Sequence, residues 1–287
     1  MILLDGKKVS EAIKTELREK LRVSLQSGAA APCLAAVLVG DNPASRTYVS
    51  SKIRSCEQVG FKSRLVQLPE TVSEEDLLHE VRALNADPEV TGYIVQLPLP
   101  RHIDETRITL AIDPAKDVDG FHPVNFGRMA LGLPALLPAT PYGILEILRR
   151  YEVPTVGKQC VVIGRSNIVG RPISILLSQK GFDCTVTVAH SRTPDLRAEV
   201  SRADIVVAAI GIPQFVKADW IKEGAVVIDV GINRLADETR KSGFRIVGDV
   251  DFEQAAPKCS YITPVPGGVG LMTVAMLMMN TWNAAQK

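Results

Sequence analysis

The stretch from Val161 to Pro172 constrains the fold more than any other part of this sequence. It reads Val-Val-Ile-Gly-Arg-Ser-Asn-Ile-Val-Gly-Arg-Pro, which predicts a buried strand, a tight turn at Gly164 and the start of a helix. In such a turn, free backbone N–H groups and the helix dipole both favour a bound phosphate. The stretch therefore predicts a nucleotide-binding α/β domain with a parallel sheet.

This turn departs from the usual dinucleotide fingerprint, G-x-G-x-x-G. Gly164-x-Ser166-x-x-x-Gly170 is one residue longer and has serine at the middle glycine, so a turn that binds nothing is an equal alternative. A second predicted strand, 184–188, is followed by His-Ser-Arg-Thr at 190–193, where NAD sites usually have a carboxylate. The side chains of Ser191 and Arg192, together with that of Arg165, suit a 2′-phosphate. The segment therefore predicts NADP as the cofactor.

Strand and helix patterns alternate along nearly the whole chain, which predicts an α/β fold with parallel sheets. A Pro- and Gly-rich region at about 113–140 marks the expected domain junction. We expect an N-terminal α/β catalytic domain over 1–120 and a Rossmann-type, doubly wound domain over 121–270. A C-terminal segment, 271–287, is expected to return to the first domain as a helix from about Thr273. Ser10 is the expected cap of the first helix.

Composition narrows the class of protein. The net charge of +1, with no basic block, does not suggest nucleic acid as a partner. The sequence has neither an apolar run as long as a membrane span nor a leader-like start, so a cytoplasmic location is expected. The five cysteines are scattered and are expected to be buried thiols in a reducing compartment. The four histidines are dispersed too, so no metal is expected.

Tyr48 and Lys52 are the first candidates for chemistry. They are four residues apart on a predicted helix that directly follows a strand and turn, so they share a face near the carboxyl edge of the first sheet. Gln96 ends another predicted strand at that edge. A lysine that acts as a base must be partly neutral at about pH 7, which burial or a nearby cation achieves. An ordinary surface Tyr/Lys pair, with an edge glutamine bound to a loop, is the alternative.

Two carboxylates, Asp117 and Asp119, fall in a loop near the expected junction. One of them suits the ring N–H and amino groups of a heterocycle, and a tight turn is an equal alternative. In the second half of the chain, Gly231 is expected to admit the nicotinamide half of the cofactor. The Pro264–Gly270 segment is too rich in Gly and Pro for regular structure and is expected to face the ring from the other side.

Taken together, these segments resemble the bifunctional methylenetetrahydrofolate dehydrogenase/methenyltetrahydrofolate cyclohydrolase family, called FolD in bacteria. The matching motifs run through nearly the whole chain in the family's order. They are Val39–Ser45 with Tyr48-x-x-x-Lys52, Val95–Pro100, Lys116–Phe121, Pro138–Pro141, Gly164–Gly170, Asp229–Asn233, Gly248–Val250 and Tyr261–Gly270.

The resemblance implies a homodimer that oxidises 5,10-methylenetetrahydrofolate with NADP and hydrolyses the methenyl product to 10-formyltetrahydrofolate. It implies that Lys52 is the central catalytic group, that Tyr48 stacks on the substrate, that Gln96 tunes Lys52 and that Asp119 anchors the pterin. The residues that it implies for the cofactor are Gly164 in the phosphate turn, Arg165, Ser166 and Ser191 at the phosphates, and Ile232 on the nicotinamide side.

Two other functions remain open at this point. One is another two-domain NADP-dependent dehydrogenase, similar to shikimate or amino-acid dehydrogenases, and the other is a non-catalytic NADP-binding protein. Those dehydrogenases lack the Tyr48/Lys52/Gln96 trio, which favours the folate enzyme over the first. Intact Lys52, Gln96 and Asp119 argue against the second. One residue departs from the family pattern: Leu271 stands where proline commonly follows Gly-Gly-Val-Gly.

Overall fold

The computed structural model describes residues 1–240 and 243–286. The strands are β1 (Ile2–Leu3), β2 (Cys33–Val39), β3 (Lys62–Leu68), β4 (Gly92–Val95), β5 (Gln159–Ile163), β6 (Thr185–Ala189), β7 (Ile205–Ala208), β8 (Val226–Asp229), β9 (Asn233–Ala236), β10 (Phe244–Val247) and β11 (Tyr261–Ile262). The helices are α1 (Gly6–Gln26), α2 (Pro43–Val59), α3 (Glu74–Ala86), α4 (Glu105–Ala111), α5 (Pro123–Ala130), α6 (Ala139–Arg150), α7 (Gly170–Ser178), α8 (Leu196–Ser201), α9 (Phe252–Ala255) and α10 (Val269–Ala284).

Contacts divide the chain into two compact units, each with its own parallel sheet. The first, which we call the six-stranded unit, comprises Met1–Ser10 and Thr140–Thr273. Its sheet has the order β1-β11-β8-β7-β5-β6, and every pairing in it is parallel. From β5 the chain goes to β6 on one side and then to β7 on the other. The carboxyl ends of β5 and β7 therefore form a switch point, where open α/β sheets bind ligands.

The other unit, the three-stranded unit, comprises Glu11–Ala139 and the segment from Val274 onward. Its sheet has the order β3-β2-β4, again all parallel, with a switch point between β2 and β4. Strands β2 and β4 are both buried along their whole length, which explains their apolar sequences. Tyr93, Leu77 and Ile108 belong to the core that α3 and α4 complete.

The predicted α/β class with parallel sheets and a returning C-terminal helix is confirmed. The units differ from the predicted domains at their edges, however. Residues 121–139 belong to the three-stranded unit, and Met1–Ser10 belong to the six-stranded unit because β1 pairs with β11. The segment from Val274 onward returns to the three-stranded unit, where Asn280 of α10 bonds to the Val118 carbonyl oxygen.

Two predicted helix starts were wrong. The first helix begins at Gly6 rather than at Ser10, because the Asp5 carboxylate accepts a bond from the Lys8 N–H and caps the first turn. The last helix begins at Val269 rather than near Thr273, so Val269 and Gly270 are helical rather than part of an irregular loop. Helix α3 is capped by Ser73, whose hydroxyl accepts a bond from the Asp76 N–H.

All five cysteines are buried free thiols, as expected, and burial raises the pKa of each of them. Among the described residues, no helix is both long enough and apolar enough to cross a bilayer.

Candidate functional site

Lys52 and Gln96 meet at the switch point of the three-stranded unit. Helix α2 directly follows β2, and its start is fixed by Asn42, whose side-chain oxygen accepts bonds from the N–H groups of Ala44 and Ser45. Lys52, on this helix, is only 7% exposed, and its Nζ donates to Gln96 Oε1 at 3.1 Å. Gln96 follows the last residue of β4. The predicted pair at the carboxyl edge of the sheet is therefore brought together.

The Gln96 side chain has a defined orientation. Its Nε2 donates to the Leu97 carbonyl oxygen at 2.7 Å. Because a carbonyl oxygen only accepts, the amide nitrogen must lie on that side, and the amide oxygen must then face Lys52. The lysine Nζ is consequently held at one position in a largely buried site.

Tyr48 lies one turn before Lys52 on α2, and its side chain is open to solvent. The residue is 45% exposed, although large apolar rings are usually covered. An exposed ring on the same helix face as a buried lysine offers a flat surface for stacking. The predicted placement of Tyr48 and Lys52 on one face of a helix matches the bounds of α2.

The two neighbouring carboxylates have different roles. Asp117 is buried and accepts bonds from the backbone N–H groups of Gly120, Phe121 and His122 and from Asn125 Nδ2. It therefore closes the tight turn that was the alternative interpretation of this loop. Asp119 has no hydrogen-bond or ion-pair partner in the part of the chain that the structure describes.

Asp119 is the carboxylate left for a ligand. Burial raises its pKa, while the positive charge of Lys52 acts in the opposite direction. The two groups are therefore close enough to interact electrostatically. Over residues 1–240 and 243–286, no three His, Cys, Asp or Glu side chains are grouped in a way that would hold a metal ion.

Asn280 supports the Asp119 segment, a role that the sequence did not reveal. It is buried on α10, and its Nδ2 donates to the carbonyl oxygens of Val118 and Leu137, both at 2.8 Å. A Cβ at Gly120 would overlap the Leu137 carbonyl group, so the chain on both sides of Asp119 is fixed. An asparagine within an apolar helix was the available signal.

In the six-stranded unit, the predicted Gly164 turn follows β5 at the switch point. Gly164 has a positive φ of 121°, and a Cβ there would overlap the Ala209 carbonyl oxygen at the end of β7. A Cβ at Gly170 would overlap the carbonyl group of Gly164. Both glycines are thus required by close backbone approach.

The free N–H groups of this turn lie before helix α7 rather than in its first turn. Ser166 Oγ accepts bonds from the N–H groups of Val169 and Gly170, and its carbonyl oxygen accepts from the Arg171 N–H. Pro172 has no N–H, so the first turn of α7 has no free donor. The free N–H groups are those of 165–168, before the helix, which have no acceptor in the described part of the chain.

The polar side chains expected at the cofactor are open to solvent. Arg165, Ser191 and Arg192 are exposed, and none of their side chains has a partner within the described residues. Thr193 shapes the loop after β6, because its hydroxyl accepts a bond from the His190 N–H at 2.9 Å. The guanidinium and hydroxyl groups are therefore free to meet an anion.

Ile232 is 53% exposed, and a Cβ at Gly270 would crowd its side chain. A Cβ at Gly231 would overlap the Asp249 carboxylate, so packing against that side chain already requires a glycine at this position. The expected close approach of the nicotinamide at Gly231 stays a prediction. Leu271 is the third residue of α10 and is partly exposed.

Comparison with known proteins places these two units in one family. Residues 4–119 match the model of the tetrahydrofolate dehydrogenase/cyclohydrolase catalytic domain, and residues 138–287 match that of the NAD(P)-binding domain of the same family. The bifunctional protein FolD of Porphyromonas gingivalis is 57% identical over 99% of this chain and 97% of its own length. That of Flavobacterium johnsoniae is 59% identical over 98% of this chain and 96% of its own.

Solved structures agree with the sequence comparison. The methylenetetrahydrofolate dehydrogenase/cyclohydrolase FolD of Campylobacter jejuni superposes with a TM-score of 0.94 at 49% identity, covering 100% of this chain and 99% of that one. The Trypanosoma brucei enzyme, solved with NADP and an inhibitor, gives 0.93 at 40% identity, covering 100% of this chain and 97% of its own. With both domain models matched and relatives above half identity along its length, this chain belongs to the tetrahydrofolate dehydrogenase/cyclohydrolase family.

Proposed function

We propose that this protein is a bifunctional enzyme of one-carbon metabolism. It oxidises 5,10-methylenetetrahydrofolate to the methenyl form with NADP and then hydrolyses that product to 10-formyltetrahydrofolate. The observation that carries the proposal is the buried Lys52, held by Gln96 within electrostatic reach of the unpartnered Asp119. The bifunctional FolD proteins that this chain matches along nearly their whole length support the same activity.

The oxidation demands alignment more than acid–base chemistry. Hydride leaves a carbon flanked by two nitrogens, whose lone pairs stabilise the resulting cation, so no proton has to move in that step. The protein must hold the donor carbon near its acceptor. We assign the pterin to Asp119, whose carboxylate suits ring N–H and amino groups, and we assign stacking of the substrate to the exposed ring of Tyr48.

The hydrolysis requires a proton to be moved. Water attacks the amidinium carbon of the methenyl substrate, and a proton must leave the attacking water. Lys52 is the group that we assign to this step, because it is buried and its Nζ is fixed by the Gln96 amide oxygen at 3.1 Å. Gln96 thus acts through Lys52 as a positioning residue.

The cofactor that we propose is NADP, which supplies the nicotinamide that accepts hydride. The free N–H groups of 165–168 and the hydroxyl of Ser166 suit its pyrophosphate. Arg165, Ser191 and Arg192 suit a 2′-phosphate, and the absence of a carboxylate in the 190–193 loop disfavours NAD. The structure of the Trypanosoma brucei relative holds NADP, which supports this choice. Ile232 is assigned to the nicotinamide side.

A two-wavelength assay of the purified chain tests the function. With 5,10-methylenetetrahydrofolate and NADP we expect NADPH to form, and with methenyltetrahydrofolate alone we expect its absorbance to decay. NADPH without decay of the methenyl band would leave a dehydrogenase only. Turnover of shikimate or an amino acid instead would establish the other dehydrogenase class, and binding of NADP without any turnover would establish a binding protein.

We also propose that the chain is a homodimer. Strand β3 is an edge strand, seven residues long, whose only pairing within the described chain is with β2, and Leu65 at its centre is 45% exposed. Such an edge pairs readily with a second copy about a two-fold axis. Light scattering should give about twice the chain mass of 31.1 kDa. Leu65→Lys should lower that mass while Val156→Lys, on an exposed loop, should not.

The cytoplasm is the compartment that we propose for it. All five cysteines are free thiols, which suits a reducing environment.

A further inference from the structure

Two buried carboxylates lie at the carboxyl edge of the six-stranded sheet, and the proposed reaction uses neither. Asp229 is the last residue of β8, and Asp249 follows β10. Asp249 is 0% exposed, and among the described residues no cation is paired with either group. Burying a carboxylate without a counter-charge is costly unless hydrogen bonds satisfy it. The hydrogen bonds of these two carboxylates therefore indicate their structural role.

Asp249 ties together two segments that follow neighbouring strands. Its Oδ2 accepts bonds from the backbone N–H groups of Ile210 at 2.7 Å and Gly211 at 3.0 Å, just beyond the end of β7. Its Oδ1 accepts from Asn233 Nδ2 at 2.9 Å, at the start of β9. One side chain thus fixes the path of the chain after both β7 and β8.

Asp229 in turn fixes Asp249. Its Oδ1 accepts bonds from the N–H groups of Asp249 at 2.8 Å and Gly231 at 3.0 Å, and its Oδ2 accepts from the Val250 N–H at 2.9 Å. A Cβ at Gly248 would overlap the Asp229 carboxylate, just as one at Gly231 would overlap that of Asp249. The arrangement therefore leaves no room for either carboxylate to shift.

These segments surround the proposed cofactor site. The chain that Asp249 fixes at 210–211 continues from Ala209, whose carbonyl group packs against Gly164 at the switch point. Ile232, assigned to the nicotinamide side, lies between Gly231 and Asn233, and both of these contact the Asp229–Asp249 pair. We infer that Asp249 is a positioning residue that sets the shape of the cofactor site through Ile210, Gly211 and Asn233. This inference rests on the proposed function.

The test compares Asp249→Ala with Asp249→Asn. Alanine leaves the N–H groups of Ile210 and Gly211 without an acceptor, so we expect the Kd and KM for NADP to rise by about 10-fold or more. Asparagine keeps one oxygen for those N–H groups, and its amide can donate to Asn233 once that side chain turns over. We expect Asp249→Asn to recover most of the NADP affinity.

Hydrolysis of methenyltetrahydrofolate uses no nicotinamide and serves as the internal control. If Asp249 positions the cofactor, Asp249→Ala should keep its hydrolysis rate and its KM for the methenyl substrate within about threefold of the wild-type values. A merely structural role would instead lower both activities in proportion. Asp251→Ala, which removes a nearby carboxylate bonded to Lys217, is the matched variant and should leave NADP binding unchanged.

Direct titration of NADP into the wild type and each variant tests the proposed function and the positioning role of Asp249 separately. Wild-type protein that neither binds NADP nor oxidises the folate would overturn the proposed function and this inference with it. Wild-type activity together with an unchanged NADP Kd in Asp249→Ala would overturn the inference alone. If Asp249→Ala does not fold, Asn233→Ala carries the test: we expect a rise in Kd of about threefold or more, and an unchanged Kd would refute the inference.

Discussion

Among the described residues, Lys52 forms a side-chain hydrogen bond with Gln96 alone, and this limits what it can do. Its Nζ donates to Gln96 Oε1, and the other end of that amide is committed to the Leu97 carbonyl oxygen. Because the glutamine cannot turn over without losing that bond, its amide oxygen fixes the direction of the Lys52 Nζ. The two proposed reactions differ in their need for such a group, since hydrolysis moves a proton and hydride transfer does not.

The variant Lys52→Met separates the two activities. The methionine keeps the apolar stem but removes the nitrogen, so we expect hydrolysis of methenyltetrahydrofolate to fall by a factor of about 100 or more while part of the NADPH formation remains. Both rates are measured on one preparation. Lys20→Met, which removes an exposed lysine of α1, is the control and should change neither rate. Full hydrolysis in Lys52→Met would contradict the assignment.

Arg165 tests the choice of cofactor. Its guanidinium group is exposed and has no partner in the described part of the chain, so its replacement should cost little stability. If it binds the 2′-phosphate, Arg165→Ala should raise the KM for NADP by about 10-fold to 100-fold, the loss expected for a charge-assisted hydrogen bond. The KM for NAD, measured with the same preparation, should change little. Equal losses with both cofactors would refute the assignment.

Residues of the site differ in how well the sequence reveals them. Lys52 and Gln96 are predictable because each follows a buried strand, and parallel strands bring their carboxyl ends to one edge. The roles of Asn280 and Asp249 are not predictable, because no local sequence pattern marks pairs so far apart. Asn280 bonds to Val118, 162 residues away, and Asp249 bonds to Ile210, 39 residues away. The serine of the Gly164 turn was predicted at the cofactor, but its capping of α7 depends on the fold of the turn itself.

Strands that are buried on both faces can be predicted from their continuous apolar sequences. Strand β2 is apolar throughout, and β5 is apolar after its first residue. Strand β3 is mostly exposed and begins with Lys-Ser-Arg, so its sequence resembles that of a polar loop. The hairpin of β9 and β10 alternates buried and exposed residues only weakly and was missed for the same reason. Helix starts were wrong where the capping group lies outside the apolar repeat, as Asp5 does in α1.

The start of α10 offers a test of the one departure from the family pattern. Leu271 is in the first turn, where its N–H makes only a long bond of 3.3 Å to the Gly268 carbonyl oxygen. Proline is tolerated there and restricts the unfolded chain, so Leu271→Pro should stabilise the protein by about 0.5–1 kcal/mol. Leu271→Ala is the control, because it removes the same side chain without fixing φ. Thermal unfolding of the two variants compares them, and a lower midpoint for proline would contradict the argument.

The whole molecule is assembled from segments that are not contiguous in sequence. Residues 1–10 join the six-stranded unit through one parallel strand. The last helix joins the three-stranded unit through the contacts of Met278 with Cys56 and of Trp282 with Phe61, and through Asn280. A single domain boundary near residue 120 therefore separates the two groups of sequence motifs, but it does not coincide with the boundaries of the packed units. The order of strands in each sheet, which creates the two switch points, also depends on long-range pairing that local patterns do not encode.

The stability of the whole chain should depend on pH through Asp229. Burial raises its pKa from an ordinary 3.8 to about 7, despite the three backbone N–H groups that favour its charged form. Between these two values the folded protein holds a proton that the unfolded chain has released. Rising pH therefore favours unfolding across this window, which is opposite to the behaviour of a carboxylate whose pKa is lowered by a salt bridge.

The predicted loss of stability with rising pH can be measured by comparison with Asp229→Asn, which has no titratable group at this position. From about pH 5 to about pH 8, the free energy of unfolding of the wild type should fall by about 3 kcal/mol more than that of Asp229→Asn. The asparagine directs an N–H group towards backbone donors and so costs stability at every pH. The difference between the two slopes is therefore the quantity to compare, since histidines and other carboxylates contribute equally to both proteins. Urea unfolding at several pH values gives both slopes, and parallel slopes would mean that Asp229 stays ionised in the folded protein throughout this range.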